Sequence, residues 1–344
     1  MSDKRINVGI AGLGFMGASH IKAYLRIPTA RIAAICNPSG RNLDGDFSRV
    51  SGNIGVAEPL QLDMTKTKAF RRFEDLLADP EIDVIDICTP THKHREMAVA
   101  ALASGKHVLC EKPLARTSGD AAVIASAASN ANGFFMPAMC LRFWPGWAWL
   151  KEAISSGRHG KVLGARFRRV TEPPAWSRQT FLNGALSGGA LLDLHIHDTD
   201  FIQFCFGAPK AVFSRGYSRV SDAVDHVITD YDYGSSPIVS AEGSWAMHNG
   251  FGFSMSYTVN FERATADFDL ARGEEPLRLF EDGKPPQTIA CEKTDGYTLE
   301  LGYFLECVQK RVRPTLVTAE DAMLSVKICE AEERSVYARE RVMI

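Results

Sequence analysis

The sequence predicts an α/β domain followed by an α+β domain: an N-terminal Rossmann-type doubly wound parallel sheet, then a domain on an open, mostly antiparallel β-sheet. Three observations carry this expectation. Short apolar runs alternate with helix-compatible segments up to about residue 140. A glycine turn, "GLGFMG", follows the first of those runs. Beyond about residue 145, strand-like segments succeed one another with turn residues between them. The expected boundaries are 1–140 and 141–344, with the last helices packing back toward the first domain.

In the first half, "INVGIAG" reads as a buried parallel strand, and a helix is expected from about Gly14 to Leu25. "RIAAICN" is the second strand, followed by a long Gly/Ser/Asn/Asp-rich loop from Pro38 to about Thr65. "AFRRFEDLLADP" reads as a helical segment closed by Pro80. "DVIDICTP", "KHVLCEKP" and "FFMPAMCLRF" are further strands. Helices "HREMAVAALASG" and "TSGDAAVIASAASNANG" separate them, the latter with Thr117 or Ser118 as N-cap. In the second half, "KVLGARFRRV", "KAVFSRGYSRV", "DHVITDYDYG", "PIVSAEGSWAM" and "FSMSYTVNFERATADFDL" read as strand-like, with late helices near 297–312 and 319–333.

Composition excludes several classes. The chain has 344 residues and 45% hydrophobic side chains, enough for two cores. Its 39 basic and 41 acidic residues leave a formal charge of −2 with no basic stripe, so nucleic acid is not an expected partner. No apolar run approaches the roughly 18 residues of a membrane span. The N-terminus runs directly into a predicted strand, so no signal peptide is expected. The eight cysteines are scattered, with no CxxC pair, and read as thiols in a reducing cytosol. The expected location is cytoplasmic.

"GLGFMG" sets Gly12, Gly14 and Gly17 in GxGxxG spacing. Gly12 permits the tight turn, Gly14 lets the backbone approach a pyrophosphate, and Gly17 lets helix and strand pack closely. The diphosphate would sit on the helix N-terminus, making Phe15 and Met16 cofactor neighbours. Asn37 stands where an acidic ribose ligand is usual, followed by Ser39 and Arg41. An amide accepts from a hydroxyl without repelling a 2′-phosphate, and Arg41 could pair with that phosphate. The cofactor expected is therefore NAD(P), leaning to NADP. Against this stand an Arg41 pointing into solvent from its loop and an Asn37 that serves NAD adequately. Thr89 and Pro90 end the third strand, where their backbone would lie along the cofactor. "CEKPL" delivers Glu111, Lys112 and Pro113 to the carboxyl end of the fourth strand. Lys112 could hydrogen-bond a sugar hydroxyl and favour a developing alkoxide. On its own, a strand-end lysine is more often plain surface charge.

"GIAGLGFMGASH", "CTPTHKHREMAVAALASGKHVLCEKPLA" and "GGALLDLHIHDTD", in that order, make the chain resemble the glucose–fructose oxidoreductase/inositol dehydrogenase (Gfo/Idh/MocA) family. The resemblance implies NAD(P)-dependent redox chemistry on a hydroxyl of a sugar, cyclitol or related polyol. It also implies a homodimer or homotetramer assembled through the second domain's sheet. The family's lysine maps onto Lys112, and its Asp-x-x-x-His pair onto Asp193 and His197. His20 and His94 match family positions, His94 being taken as cofactor-adjacent. The usual acid at the end of the second strand is Asn37 here.

"LLDLHIHDTD" itself reads as helix, putting Asp193 and His197 at i and i+4 on one face with His195 turned away. That spacing favours a two-residue proton relay over a four-ligand metal cage, so no metal is expected. His197 would be the general base, Asp193 a support for charge or a contact to substrate hydroxyls. His195 is expected to pack or hydrogen-bond structurally, with support of the site or contact to substrate as the lesser alternative, and Asp198 either to touch substrate or to satisfy local polar groups. "RFWPGWAWL" offers Arg142, Trp144, Trp147 and Trp149 as a sugar-binding wall or as packing, and Trp176 and Arg178 as a loop over the site or a subunit contact. Three alternatives stay open: a transient-redox enzyme that cleaves glycosidic bonds with bound NAD⁺, a non-catalytic NAD(P) sensor, and, more distantly, a metallo-hydrolase.

Overall fold

The computed structural model describes residues 5–50, 52, 60–175 and 178–344. The chain divides into two units: residues 1–140 with 296–323, and 141–295 with 324–344.

The first unit opens with β1 (Ile6–Ala11), α1 (Phe15–Leu25), β2 (Ala30–Cys36), β3 (Lys68–Phe70) and α2 (Phe73–Ala78). It continues through β4 (Val84–Ile87), α3 (His94–Ala103), β5 (His107–Glu111), α4 (Ser118–Asn130) and β6 (Phe135–Ala138). The six strands lie in the order β3-β2-β1-β4-β5-β6, all parallel. The order reverses at β1/β4, which is where a doubly wound sheet opens a crevice at its carboxyl ends. The strand Val84–Ile87 is buried along its whole length, Asp86 included, as a strand covered on both faces requires.

Two expectations are corrected here. "AFRRFEDLLADP" is not one helix: Lys68–Phe70 pairs with Ala34–Cys36 as the sheet's edge strand, and only Phe73–Ala78 is helical. The edge of β2 was still open to a partner, and pairing won over helix propensity. "FFMPAMCLRF" stops being strand at Ala138 and passes into a short 3₁₀ turn at Cys140–Arg142.

The second unit holds α5 (Pro145–Ser156), β7 (Val162–Thr171), α6 (Arg178–Phe181), α7 (Gly184–Ser187) and α8 (Ile196–Phe206). Then follow β8 (Ala211–Tyr217), β9 (His226–Asp232), β10 (Ile238–Ser244), β11 (Phe253–Phe261), β12 (Thr265–Asp269), β13 (Leu277–Phe280) and β14 (Gln287–Thr288). Helix α9 (Gly296–Lys310) belongs to the first unit and packs on α1; α10 (Ala319–Ala338) follows, and β15 (Val342–Met343) closes the chain. The sheet runs β14-β13-β12-β11-β7-β10-β9-β8-β15 and is antiparallel except for the parallel β10/β7 pair. "FSMSYTVNFERATADFDL" is a hairpin, turning at Glu262–Arg263, where Phe261 N–H donates to the Ala264 carbonyl.

"RFWPGWAWL" forms the start of α5, with Pro145 at the first turn, where a missing N–H costs nothing. Trp147 is fully buried against Phe201 and Tyr257, at ring separations of 4.9 and 5.2 Å, and Trp144 and Trp149 pack on the same core. The sugar-wall reading of these tryptophans gives way to packing. Trp176 lies outside the described residues, as does the side chain of Arg178.

Candidate active site

In the first unit, β1 delivers the chain into the glycine turn. Gly12 has φ +95°, and a Cβ there would lie 2.5 Å from the Cys88 carbonyl oxygen. A Cβ on Gly17 would overlap the Gly12 carbonyl oxygen. Gly14 differs: it is exposed, a Cβ on it would meet nothing within 4 Å, and it caps α1 without any side-chain hydrogen bond. Two glycines thus close the turn against β4, while the third leaves open space above the first N–H groups of α1, next to the half-buried Phe15 and Met16. Helix N-terminal amides with room above them suit a diphosphate.

The loop leaving β2 is tied to this turn by Asn42, which donates to the Leu13 carbonyl at 2.8 Å. Asn37 folds the loop on itself. Its amide donates to the Arg41 carbonyl at 2.8 Å, and its oxygen accepts from Ser39 Oγ at 3.0 Å. Arg41 is exposed, and a second guanidinium that sequence reasoning missed, Arg71, packs against Gly40, whose Cβ would lie 2.7 Å from it. Among the described residues no carboxylate pairs with either arginine. Arg71 stands just past β3, and only the β2–β3 pairing brings it here, so its distance along the chain hid it.

Under the carboxyl ends of β4 and β5 lies a buried cluster. His20, on α1, meets Asp86 through Nδ1 at 2.8 Å and Glu111 through Nε2 at 3.1 Å, and Cys88 Sγ lies 3.4 Å from Nδ1. Glu111 is turned inward, and its other oxygen accepts from the Lys112 N–H at 3.0 Å. Burial alone would lower the pKa of His20, but Asp86 and Cys88 outweigh it and hold it well above the usual histidine range. His94 is buried between two turns, its ring nitrogens each 2.8 Å from the carbonyls of Thr89 and Pro113. There burial prevails over the pull of those carbonyls and lowers the pKa. Lys112 is half-buried and joined to Pro113 by a cis peptide; Thr89 is half-buried and Pro90 exposed.

In the second unit, Gly188 and Gly189 (φ +77° and +71°) turn the chain into a continuous helical stretch. Leu191–His195 is a π-turn, not the α-helix expected, before α8 begins at Ile196. Asp193 lies within the π-turn and His197 one turn later. From Leu191 to Asp200 these two alone are part-exposed, and the other eight are buried.

The buried members of the stretch face separate partners. His195 Nε2 lies 3.1 Å from the Tyr231 hydroxyl. Asp198 accepts from Arg169 at 2.8 Å, and Asp200 from Arg142 at 2.8 and 2.7 Å. The density of "HIHDTD" is therefore mostly ion pairing within the unit, and Asp198 satisfies Arg169. Among the described residues, the group whose ligand atoms approach within 4.8 Å of one another is His20, Asp86 and Cys88, where His20 is already hydrogen-bonded to Asp86.

Comparison with known proteins bears on the same residues. A model of the oxidoreductase family with an NAD-binding Rossmann fold matches residues 6–138, and the GFO/IDH/MocA C-terminal domain matches 147–267. A trans-1,2-dihydrobenzene-1,2-diol dehydrogenase from Bos taurus is 32% identical over 280 residues, 75% of this chain and 79% of that protein. The chain belongs to the Gfo/Idh/MocA oxidoreductase family. A levoglucosan dehydrogenase from Pseudarthrobacter phenanthrenivorans is 32% identical over 225 residues, 61% of this chain. That match takes in about half, 53%, of the relative's length. The family fold extends over the whole chain. A solved levoglucosan dehydrogenase, in complex with NADH and levoglucosan, superposes with a TM-score of 0.84 at 21% identity, covering 99% of this chain and 100% of that one. No helix among the described residues is long and apolar enough to cross a membrane.

Proposed function

We propose that this chain is an NAD(P)-dependent oxidoreductase moving hydride between the nicotinamide and a hydroxyl or keto carbon of a sugar, cyclitol or related polyol. The reading is carried by one observation: Asp193 and His197 are the two part-exposed residues of an otherwise buried ten-residue stretch. A helix that buries its apolar and ion-paired residues but leaves a carboxylate and an imidazole part-exposed one turn apart has a proton relay to offer.

The glycine turn fits the dinucleotide, since open space stands over the N-terminus of α1 and closed space where strand and helix meet. When bound, the nicotinamide supplies the hydride acceptor or donor. The proton is the chain's own work. His197 takes it from the substrate hydroxyl in oxidation and returns it in reduction, a task suited to histidine's ordinary range in both directions. Lys112 is assigned a hydrogen bond to the reacting oxygen, where its positive charge favours the alkoxide. Asp193 orients a second hydroxyl or supports that charge. The two relatives named above are, by name, dehydrogenases of levoglucosan and of a dihydrobenzene diol; both compounds carry neighbouring hydroxyls, and a vicinal diol is the substrate chemistry proposed here.

For the cofactor we propose a preference for NADP over NAD. Asn37 brings no negative charge to the end of β2, and Ser39, Arg41 and Arg71 surround that point with donors. A homodimer or homotetramer is proposed through the sheet of the second unit. Tyr217, Ile228, Ile238 and Phe280 share one face by register and are exposed there, Ile238 to 73%. The reducing cytosol is the proposed setting, in keeping with eight free thiols.

The test is turnover followed at 340 nm with NAD⁺ and NADP⁺ over levoglucosan, D-glucose and myo-inositol, with His197→Ala alongside. Turnover lost in the variant while dinucleotide still binds is the expected result. Full turnover in His197→Ala would remove the relay. Cleavage of a glycoside without net NAD(P)H would replace the dehydrogenase by a transient-redox enzyme.

A further inference from the structure

Beside the part-exposed pair lies a second polar cluster to which the proposed reaction gives no role. His195 Nε2 is 3.1 Å from the Tyr231 hydroxyl and 3.4 Å from Glu332 Oε1. Thr199 Oγ1 lies 3.1 Å from the same hydroxyl and 3.3 Å from the same carboxylate oxygen. All four side chains are buried, and Glu332, on α10, is sealed completely. A carboxylate at that depth is costly unless paired, and apolar residues of the same volume would pack there at lower cost. Room has also been made for the imidazole. A Cβ on Gly243 of β10 would lie 2.6 Å from His195 Cβ and Nδ1. Among the described residues, titratable neighbours of the cluster also include His226 on β9 and Cys329 on α10, the latter facing Glu330 as well.

The position of His195 gives the cluster a purpose. It is the last residue of the π-turn that carries Asp193, and His197 follows two residues later. A π-turn holds one residue more than an α-turn. If this one relaxed to α-helix, the residues before it would turn by about 100° relative to those after it, and Asp193, in its middle, by part of that angle relative to His197. The turn is pinned at its start, where Leu191 N–H donates to the Val224 carbonyl at 3.1 Å. At its end it is pinned through the His195 side chain, against β9, β10 and α10. We propose that His195, fastened by Glu332 and Tyr231, is a positioning residue that holds the π-turn and so fixes the alignment of Asp193 with His197. Its effect on rate rests on the reading of His197 as proton carrier; its effect on the surroundings of His197 does not.

The test is a pH titration of the histidine ring signals by NMR, with the His197 signal assigned by its loss in His197→Gln. Wild type is compared with Glu332→Gln, His195→Asn and Tyr231→Phe. In Glu332→Gln and His195→Asn the His197 midpoint is expected to move by roughly half a pH unit or more, while His94, in the other unit, stays unchanged. With levoglucosan or myo-inositol as substrate, kcat is expected to fall roughly 10- to 100-fold at unchanged KM. An unmoved His197 signal in variants that still bind dinucleotide overturns the proposal. If His195→Asn fails to fold, Tyr231→Phe decides, since it removes one hydroxyl and no volume. A moved signal in a protein whose His197→Ala variant keeps full turnover would sustain the positioning role and reject the proton-carrier reading instead.

Discussion

His20 and Asp86 meet at 2.8 Å, Nδ1 to Oδ2, with neither side chain reaching solvent. Burial pulls the imidazole toward neutrality, and the Asp86 carboxylate with the Cys88 thiol pulls harder the other way, so its pKa is raised well above 6.5. A raised pKa means the folded state holds the proton more tightly than the unfolded chain. The resulting stability is fully present below pH 6.5 or so, and is lost as pH rises through the folded value. Urea unfolding of wild type and His20→Gln should therefore show a stability gap that is widest near pH 6 and narrows as the pH is raised above it. A gap of constant size across that range would rule the charge argument out. His94 has the opposite sign. Its lowered pKa makes its contribution disappear as pH falls below 6.5 or so, and His94→Asn should lose its disadvantage on acidification.

The three glycines of the turn predict three different failures. Gly17→Ala drives a methyl into the Gly12 carbonyl and should lower thermal stability sharply, because the obstacle is backbone and cannot move aside. Gly12→Ala combines φ +95° with a 2.5 Å approach to the Cys88 carbonyl, and should do the same. Gly14→Ala meets empty space, so its folded stability should change by no more than about 1 kcal/mol, the usual cost of a poorer N-cap. Its loss should be in dinucleotide binding, read by quenching of protein fluorescence. A Gly14→Ala protein that binds as tightly as wild type would remove the diphosphate from this turn.

Arg41 and Arg71 predict the cofactor preference. A hydrogen bond from a guanidinium to a phosphate is worth roughly 1.5–3 kcal/mol, about tenfold or more in affinity. Arg41→Ala and Arg71→Ala should each weaken NADP⁺ by about that factor and leave NAD⁺ within about twofold, since only NADP⁺ carries the 2′-phosphate. The readout is the ratio of the two dissociation constants by calorimetry. Equal losses for both cofactors would mean that the arginines serve the loop and not the phosphate.

The features that sequence made legible are those set by local pattern. Gly12, Gly14 and Gly17 announce their turn by spacing, and Val84–Ile87 its burial by composition. Asp193 and His197 share a face at helical spacing, and the family resemblance separates them from the other polar residues of the stretch. What stayed hidden depends on partners far along the chain. Lys68–Phe70 is strand only because Ala34–Cys36 offers it an edge, and Arg71 reaches Gly40 by the same pairing. The π-turn at Leu191–His195 has no signature of its own in "LLDLH". It follows from anchors on β9, β10 and α10, the last of them Glu332, 137 positions beyond His195. Trp147 looked like a ligand platform because an aromatic beside an arginine reads alike in a binding wall and in a core.

Arg142 is that arginine, and its partner gives the last prediction. It meets Asp200 through two bonds of 2.8 and 2.7 Å, and Ser325 Oγ donates to the same carboxylate at 2.9 Å. Both charges are almost wholly buried, at 2% and 1% side-chain exposure. Removing one partner strands the other in a medium that solvates it poorly, which costs roughly 3–5 kcal/mol. Asp200→Ala should therefore lose about that much in urea unfolding, and Arg142→Met with Asp200→Leu should recover much of it by removing both charges together. The Arg72–Glu74 pair, with both side chains about 70% exposed, provides the contrast: Glu74→Ala should leave stability unchanged within error. Equal losses at the two pairs would mean that Asp200 reaches solvent. Full loss retained in the double variant would mean that Asp200 holds α8 through shape, independently of its charge.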